Sequence, residues 1–100
     1  MAIKIITIDD ELEALKNLNI LLSQDDECQH IAAYDNGRDG ILGIQKLKPD
    51  LVFLDIQMPE ISGFDVIRAI DKADLPTFIS RQHMINMQYQ HLQLMQWITY

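Results

Sequence analysis

Three aspartates carry the clearest chemistry in this 100-residue sequence. Asp9 and Asp10 stand together after the β-branched run Ile3 to Ile8, with Glu11 next, and Asp55 closes the apolar run Leu51-Val52-Phe53-Leu54. If the two runs are neighbouring strands, three carboxylates meet at their ends and each raises the others' pKa unless a counter-ion is present. A hard divalent cation relieves that repulsion, and Mg²⁺ suits one or two carboxylates, a backbone carbonyl and several waters. One acid at a strand end needs no explanation beyond solvent; three at two adjoining ends point to a metal site.

The elements that would hold these acids are legible in the spacing. Ile3 to Ile8 reads as a buried strand. From Glu11 the period changes, with Leu12, Leu15, Leu18, Ile20, Leu21 and Leu22 at helical spacing, so a helix closes near Ser23 to Asp26. Cys28 to Tyr34 reads as a weaker strand, and Asp35-Asn36-Gly37 introduces a second helix from about Arg38 to Leu47. Lys48-Pro49-Asp50 stops it, because the residue before proline is pushed out of the α region. Leu51 to Leu54 has the composition of a strand buried on both faces. Gly63 to Ile70 is again helical, and Leu75 to Ile79 reads as a fourth strand. Alternating strands and helices predict an α/β fold with a parallel sheet and right-handed crossovers. In such sheets chemistry gathers beyond the carboxyl ends of the strands, where Asp9, Asp10 and Asp55 fall.

Composition narrows the function classes. The chain is 48% hydrophobic and 23% charged, with a net charge of −7, which fits one globular domain. All fifteen acids lie in residues 1 to 78 with seven Lys and Arg, a net −8 for that stretch. Such a balance repels phosphates, so neither nucleic acid nor an acidic membrane is an expected partner. The single cysteine, Cys28, cannot form an internal disulfide, and no apolar run approaches membrane-spanning length; a cytoplasmic location is expected. Cys28 has no identifiable basic partner and reads as a packed strand residue. His30, His83 and His91 show no metal-ligand spacing.

Three segments together resemble the receiver domains of two-component response regulators: Ile5-Ile-Thr-Ile-Asp9-Asp10-Glu11, Asp50-Leu-Val-Phe-Leu-Asp55-Ile-Gln-Met58-Pro59, and Ile61-Ser-Gly63-Phe-Asp65. The resemblance covers about residues 1 to 79. It implies a flavodoxin-like, doubly wound sheet of order 2-1-3-4-5, with Asp55 accepting a phosphoryl group from a histidine kinase. It further implies Mg²⁺ held by Asp9, Asp10, Asp55 and the backbone carbonyl of Gln57. The chemistry is consistent, since transfer to a carboxylate needs an in-line nucleophile and charge neutralisation on the phosphoryl oxygens. Met58-Pro59 fixes a turn after the nucleophile, and Gly63 permits a backbone conformation or a close approach that a side chain would hinder.

The resemblance stops near residue 80. A receiver domain continues with a switch Thr or Ser, a fourth helix, and a fifth βα unit whose strand ends in Lys-Pro. Within these 100 residues no lysine follows Lys72 and no proline follows Pro76. Ser80 is the nearest candidate switch hydroxyl, two residues short of the expected position, which Gln82 occupies. We therefore expect a receiver core over residues 1–80, an atypical tail over 81–100, and a sheet lacking the fifth unit. Ordering costs about 1 to 2 kcal/mol per residue against a net stability of roughly 5 to 15 kcal/mol, so marginal stability, or rescue by the tail or by a homodimer across the open edge, is expected.

The tail gains Gln, Met and His while Asp, Glu, Lys, Gly and Pro vanish. Its possible codons, read from the third base of codon 79, allow Phe-Ala-Thr-Ala-Tyr-Asp-Gln-Tyr-Ala-Ile and a further receiver-like stretch, closest to the LytTR group of response regulators. Some letters are forced: Met84 before Ile85 and Trp97 before Ile98 both give Asp. A frameshift near codon 79 accounts for the change. As it stands, the tail offers a helical stripe through Met84, Ile85, Leu92, Met95 and Ile98 and an alternating pattern near Tyr89, and periodicity leaves both open.

Three functions compete. A phosphoacceptor module, not a turnover enzyme, fits best, with its switch impaired by the missing lysine and strand. An interaction or dimerisation module that no longer signals would keep the acids without the chemistry. An aspartyl phosphohydrolase is disfavoured, because Asp55-Ile56-Gln57 lacks a second acid two residues on.

Overall fold

A computed structural model describes residues 2–80. Strand β1 (Ile3–Ile8) leads through helix α1 (Leu12–Ser23) to β2 (Cys28–Tyr34), then through α2 (Gly37–Leu47) to β3 (Leu51–Leu54). Helix α3 (Gly63–Ala69) and a short 3₁₀ turn at Lys72–Asp74 precede β4 (Thr77–Ile79). The four strands form one sheet in the order β2-β1-β3-β4, and every pairing is parallel. This is the 2-1-3-4 part of the predicted order, and among the described residues the sheet ends at β4.

Side-chain alternation along the strands divides the core into two layers. Ile6, Ile8, Val52, Leu54 and Phe78 face Ile44 of α2 and Val66 of α3, with Met58 and Ile70 completing the cluster. On the other face Ile5, Leu51, Phe53 and Ile79 pack with Leu18 and Leu22 of α1. Every residue of β3 is buried, as its uninterrupted apolar run predicts for a strand covered on both sides. Strand β2 is half-buried along most of its length because it forms the edge of the sheet. It also carries a bulge, since Ile5 pairs with His30 but Ile6 with Ala32.

Local chemistry sets the helix ends. Asn36 caps α2 by accepting the Asp39 N–H at 2.8 Å. Lys48 adopts the left-handed conformation (φ 47°) just past α2, immediately before Pro49. Ser62 and Asp65 form a reciprocal capping box at the start of α3. The observed β4 is shorter than the predicted Leu75 to Ile79: Pro76 has no N–H for the ladder and Leu75 stays exposed. Close packing of α2 onto the sheet rests on small residues, for a Cβ at Gly43 would lie 2.4 Å from the Tyr34 ring carbons.

Candidate phosphoacceptor site

The sheet register brings the acids together. Ile8 pairs with Leu54 across β1 and β3, so the next residues, Asp9 and Asp55, leave the sheet side by side. Their amides extend the ladder one step: Asp9 N–H donates to the Tyr34 carbonyl at 3.0 Å and Asp55 N–H to the Ile8 carbonyl at 2.9 Å. Asp10 follows in the turn before α1. Carboxylate oxygens of Asp9, Asp10 and Asp55 lie within 4.8 Å of one another. Asp9 is buried, Asp55 half-buried and Asp10 exposed, so the cluster opens to solvent on one side.

Backbone amides orient two of these side chains. Asp9 Oδ1 accepts the Glu11 N–H at 2.9 Å, and Asp55 Oδ1 accepts the Gln57 N–H at 3.2 Å. Burial, then the Asp9 carboxylate, then a hydrogen bond with Asp10 push the Asp55 carboxyl up to about 6. Such mutual repulsion among hard oxygen donors is what a divalent cation neutralises, so the donor set fits Mg²⁺.

The loop from Asp55 to α3 is shaped by contacts that sequence spacing does not reveal. Met58 is buried in the layer beneath α2 and α3, while Pro59 is exposed. The Ile61 N–H donates to the Pro59 carbonyl at 2.7 Å around Glu60, whose φ is 66°, a tight three-residue turn in the left-handed region. Of the two roles open to Gly63, close approach is the one realised. Its φ is not positive, but a Cβ there would lie 2.7 Å from the Asp55 carbonyl oxygen and 2.8 Å from the Ile56 Cα. Its N–H donates to the Ile56 carbonyl at 2.9 Å, tying α3 to the loop.

Ser80 is buried just beyond β4. Ile79 pairs with Phe53, so Ser80 stands level with Leu54 and short of Asp55. Gln82 and the other tail residues lie outside the described residues. Cys28 behaves as expected of a packed strand residue: burial, with Asp25 and Glu27 nearby, pushes its thiol up to about 11.

Residues 5–95 match the response regulator receiver domain family, a span that continues past Ser80. The chain is 38% identical over 77 residues to the transcriptional regulatory protein BtsR of Shigella flexneri, covering 77% of this chain and 32% of that protein. A response regulatory protein of Shewanella oneidensis is 43% identical over 72 residues, covering 72% and 30%. The chain thus spans about a third of the length of these curated relatives. Among solved structures, the receiver domain of the response regulator NarL from Mycobacterium tuberculosis superposes with a TM-score of 0.72 at 24% identity, over 96% of this chain and 77% of that one. The response regulator ChrA gives 0.66 at 28% identity, over 79% and 37%. With its parallel 2-1-3-4 sheet and its three acids at the ends of β1 and β3, the chain belongs to the response regulator receiver domain family.

Proposed function

We propose that Asp55 is the phosphoacceptor of a two-component signalling module. The observation that carries this reading is the convergence of Asp9, Asp10 and Asp55 on one solvent-open point beyond the strand ends. In the proposed reaction an Asp55 carboxylate oxygen attacks the phosphorus of a phosphohistidine on a histidine kinase. The P–O bond forms as the P–N bond breaks, and the imidazole leaves. The Gln57 amide orients the nucleophile by fixing Asp55 Oδ1. Asp9, Asp10 and the Gln57 carbonyl would hold Mg²⁺ with Asp55. When bound, it neutralises charge on the phosphoryl oxygens.

One phosphoryl group is taken up per chain; water then attacks the acyl phosphate, releasing inorganic phosphate and restoring the Asp55 carboxylate, a weak self-hydrolysis in a cytoplasmic module and not enzyme turnover of a separate substrate. Gln82 stands where the switch hydroxyl is expected, and transfer or switching is accordingly impaired. The name of the BtsR relatives supports a transcriptional output in a longer protein, carried by a part that this chain does not cover. Among the described residues β4 pairs on one side only, which supports a homodimer across that edge. Incubation with a small acyl phosphate and Mg²⁺ tests the reading. Label on Asp55 supports it, no label supports the non-signalling interaction module, and sustained hydrolysis of a phosphate monoester supports the phosphohydrolase.

A further inference from the structure

A polar group sits inside the apolar layer under α1 and takes no part in the phosphoacceptor chemistry. Thr7 on β1 is wholly buried, and its Oγ1 lies 2.9 Å from Nε2 of His30 on β2. The other ring nitrogen, Nδ1, lies 2.8 Å from Oδ1 of Asn19 on α1. The rest of this layer is hydrocarbon: Ile5, Leu18, Leu22, Phe53. An amide oxygen only accepts, so Nδ1 carries the proton; Nε2 is left with a lone pair and accepts from the Thr7 hydroxyl. One neutral imidazole thereby joins α1, β1 and β2, at the residue where β2 begins its bulge.

We infer that His30 is an acid-sensitive clasp that holds α1, and with it the Asp9-Asp10 turn at the start of that helix, against the first two strands. Protonation converts Nε2 from acceptor to donor, forces the buried Thr7 hydroxyl to turn, and places a charge in a half-buried position. The ionisable groups on the surrounding elements are Glu13 and Lys16 on α1, Lys4 on β1, Cys28 and Tyr34 on β2, and Asp25, Asp26 and Glu27 in the turn that precedes β2. The hydrogen bonds that reach the ring come from the Thr7 hydroxyl and the Asn19 amide oxygen. Burial lowers the imidazole pKa from 6.5, against a smaller opposing effect of the Ala32 backbone. The neutral clasp therefore stabilises the fold above that value and is lost as the pH falls below it.

Long-range ¹H–¹⁵N spectra of the histidine rings in the full chain, followed through a pH titration, test this. The expected result is the Nδ1–H tautomer at neutral pH and a His30 midpoint below 6.5. Thr7→Val removes the hydroxyl and should move that midpoint upward. His30→Gln should lose less melting temperature than the parent when the pH is lowered; both proteins carry Asp55, whose own titration cancels in the comparison. An Nε2–H tautomer, a midpoint at or above the free value, or an unchanged pH response in His30→Gln overturns the inference.

Discussion

Asp55 lies where burial and two neighbouring carboxylates oppose its ionisation, and this gives the cation-free protein a definite pH response. Its folded pKa, pushed up to about 6, exceeds the ordinary value of 3.8. The stability contributed by the protonated form is therefore complete below the ordinary value and lost as the pH rises through about 6. Without cation, melting temperature attributable to this group should fall between about pH 4 and about pH 7, and Asp55→Asn should flatten the fall. Saturating Mg²⁺ should raise the melting temperature at the higher pH, since a cation that binds only the folded site stabilises it. Thermal unfolding at both pH values, with and without Mg²⁺, checks the sign. At the next loop, Glu60 holds a left-handed conformation that favours glycine. Glu60→Gly should stabilise the fold by about 1 kcal/mol, offset in part by the freer unfolded chain, as read from the denaturation midpoint.

The connection from β3 to α3 is the element on which the geometry of Asp55 depends most. Gly63 touches the backbone of Asp55 and Ile56 where a side chain cannot yield by rotation. Gly63→Ala should cost about 1 to 3 kcal/mol and weaken Mg²⁺ binding together with stability. Ser62→Ala, which removes the capping hydroxyl of the same helix, should cost about 1 kcal/mol and leave Mg²⁺ affinity nearly unchanged; calorimetric titration beside urea unfolding separates the two. Elements of this kind also mark how far the sequence could be read. The apolar run of β3, the helical leucines of α1 and the paired acids declare themselves locally, because strand burial, helical period and strand-end chemistry are properties of adjoining residues. The Glu60 turn, the contact of Gly43 with Tyr34 and the His30–Thr7 pair were not legible. The Gly43 and His30 contacts are made by groups that only the folded sheet brings together, such as Thr7 and His30 from paired strands, and the Glu60 turn rests on a positive φ at a residue type that rarely adopts one.

At the scale of the whole molecule, the described sheet pairs β4 on one side only, against β3. A parallel sheet is ordinarily covered and paired throughout, so the chain beyond Ser80 decides how the domain is completed. If a frameshift near codon 79 produced the present tail, the encoding DNA read two bases on should spell the Phe-Ala-Thr-Ala-Tyr-Asp continuation; an immediate stop in that frame contradicts it. Whether the remaining core still performs phosphoryl transfer is the central question, and peptide mapping after exposure of the full chain to a small acyl phosphate answers it most directly. The account predicts one added phosphoryl group on Asp55, dependent on Mg²⁺ and absent in Asp55→Asn. A chain that stays unlabelled in Mg²⁺, or that carries its label away from Asp55, would contradict it.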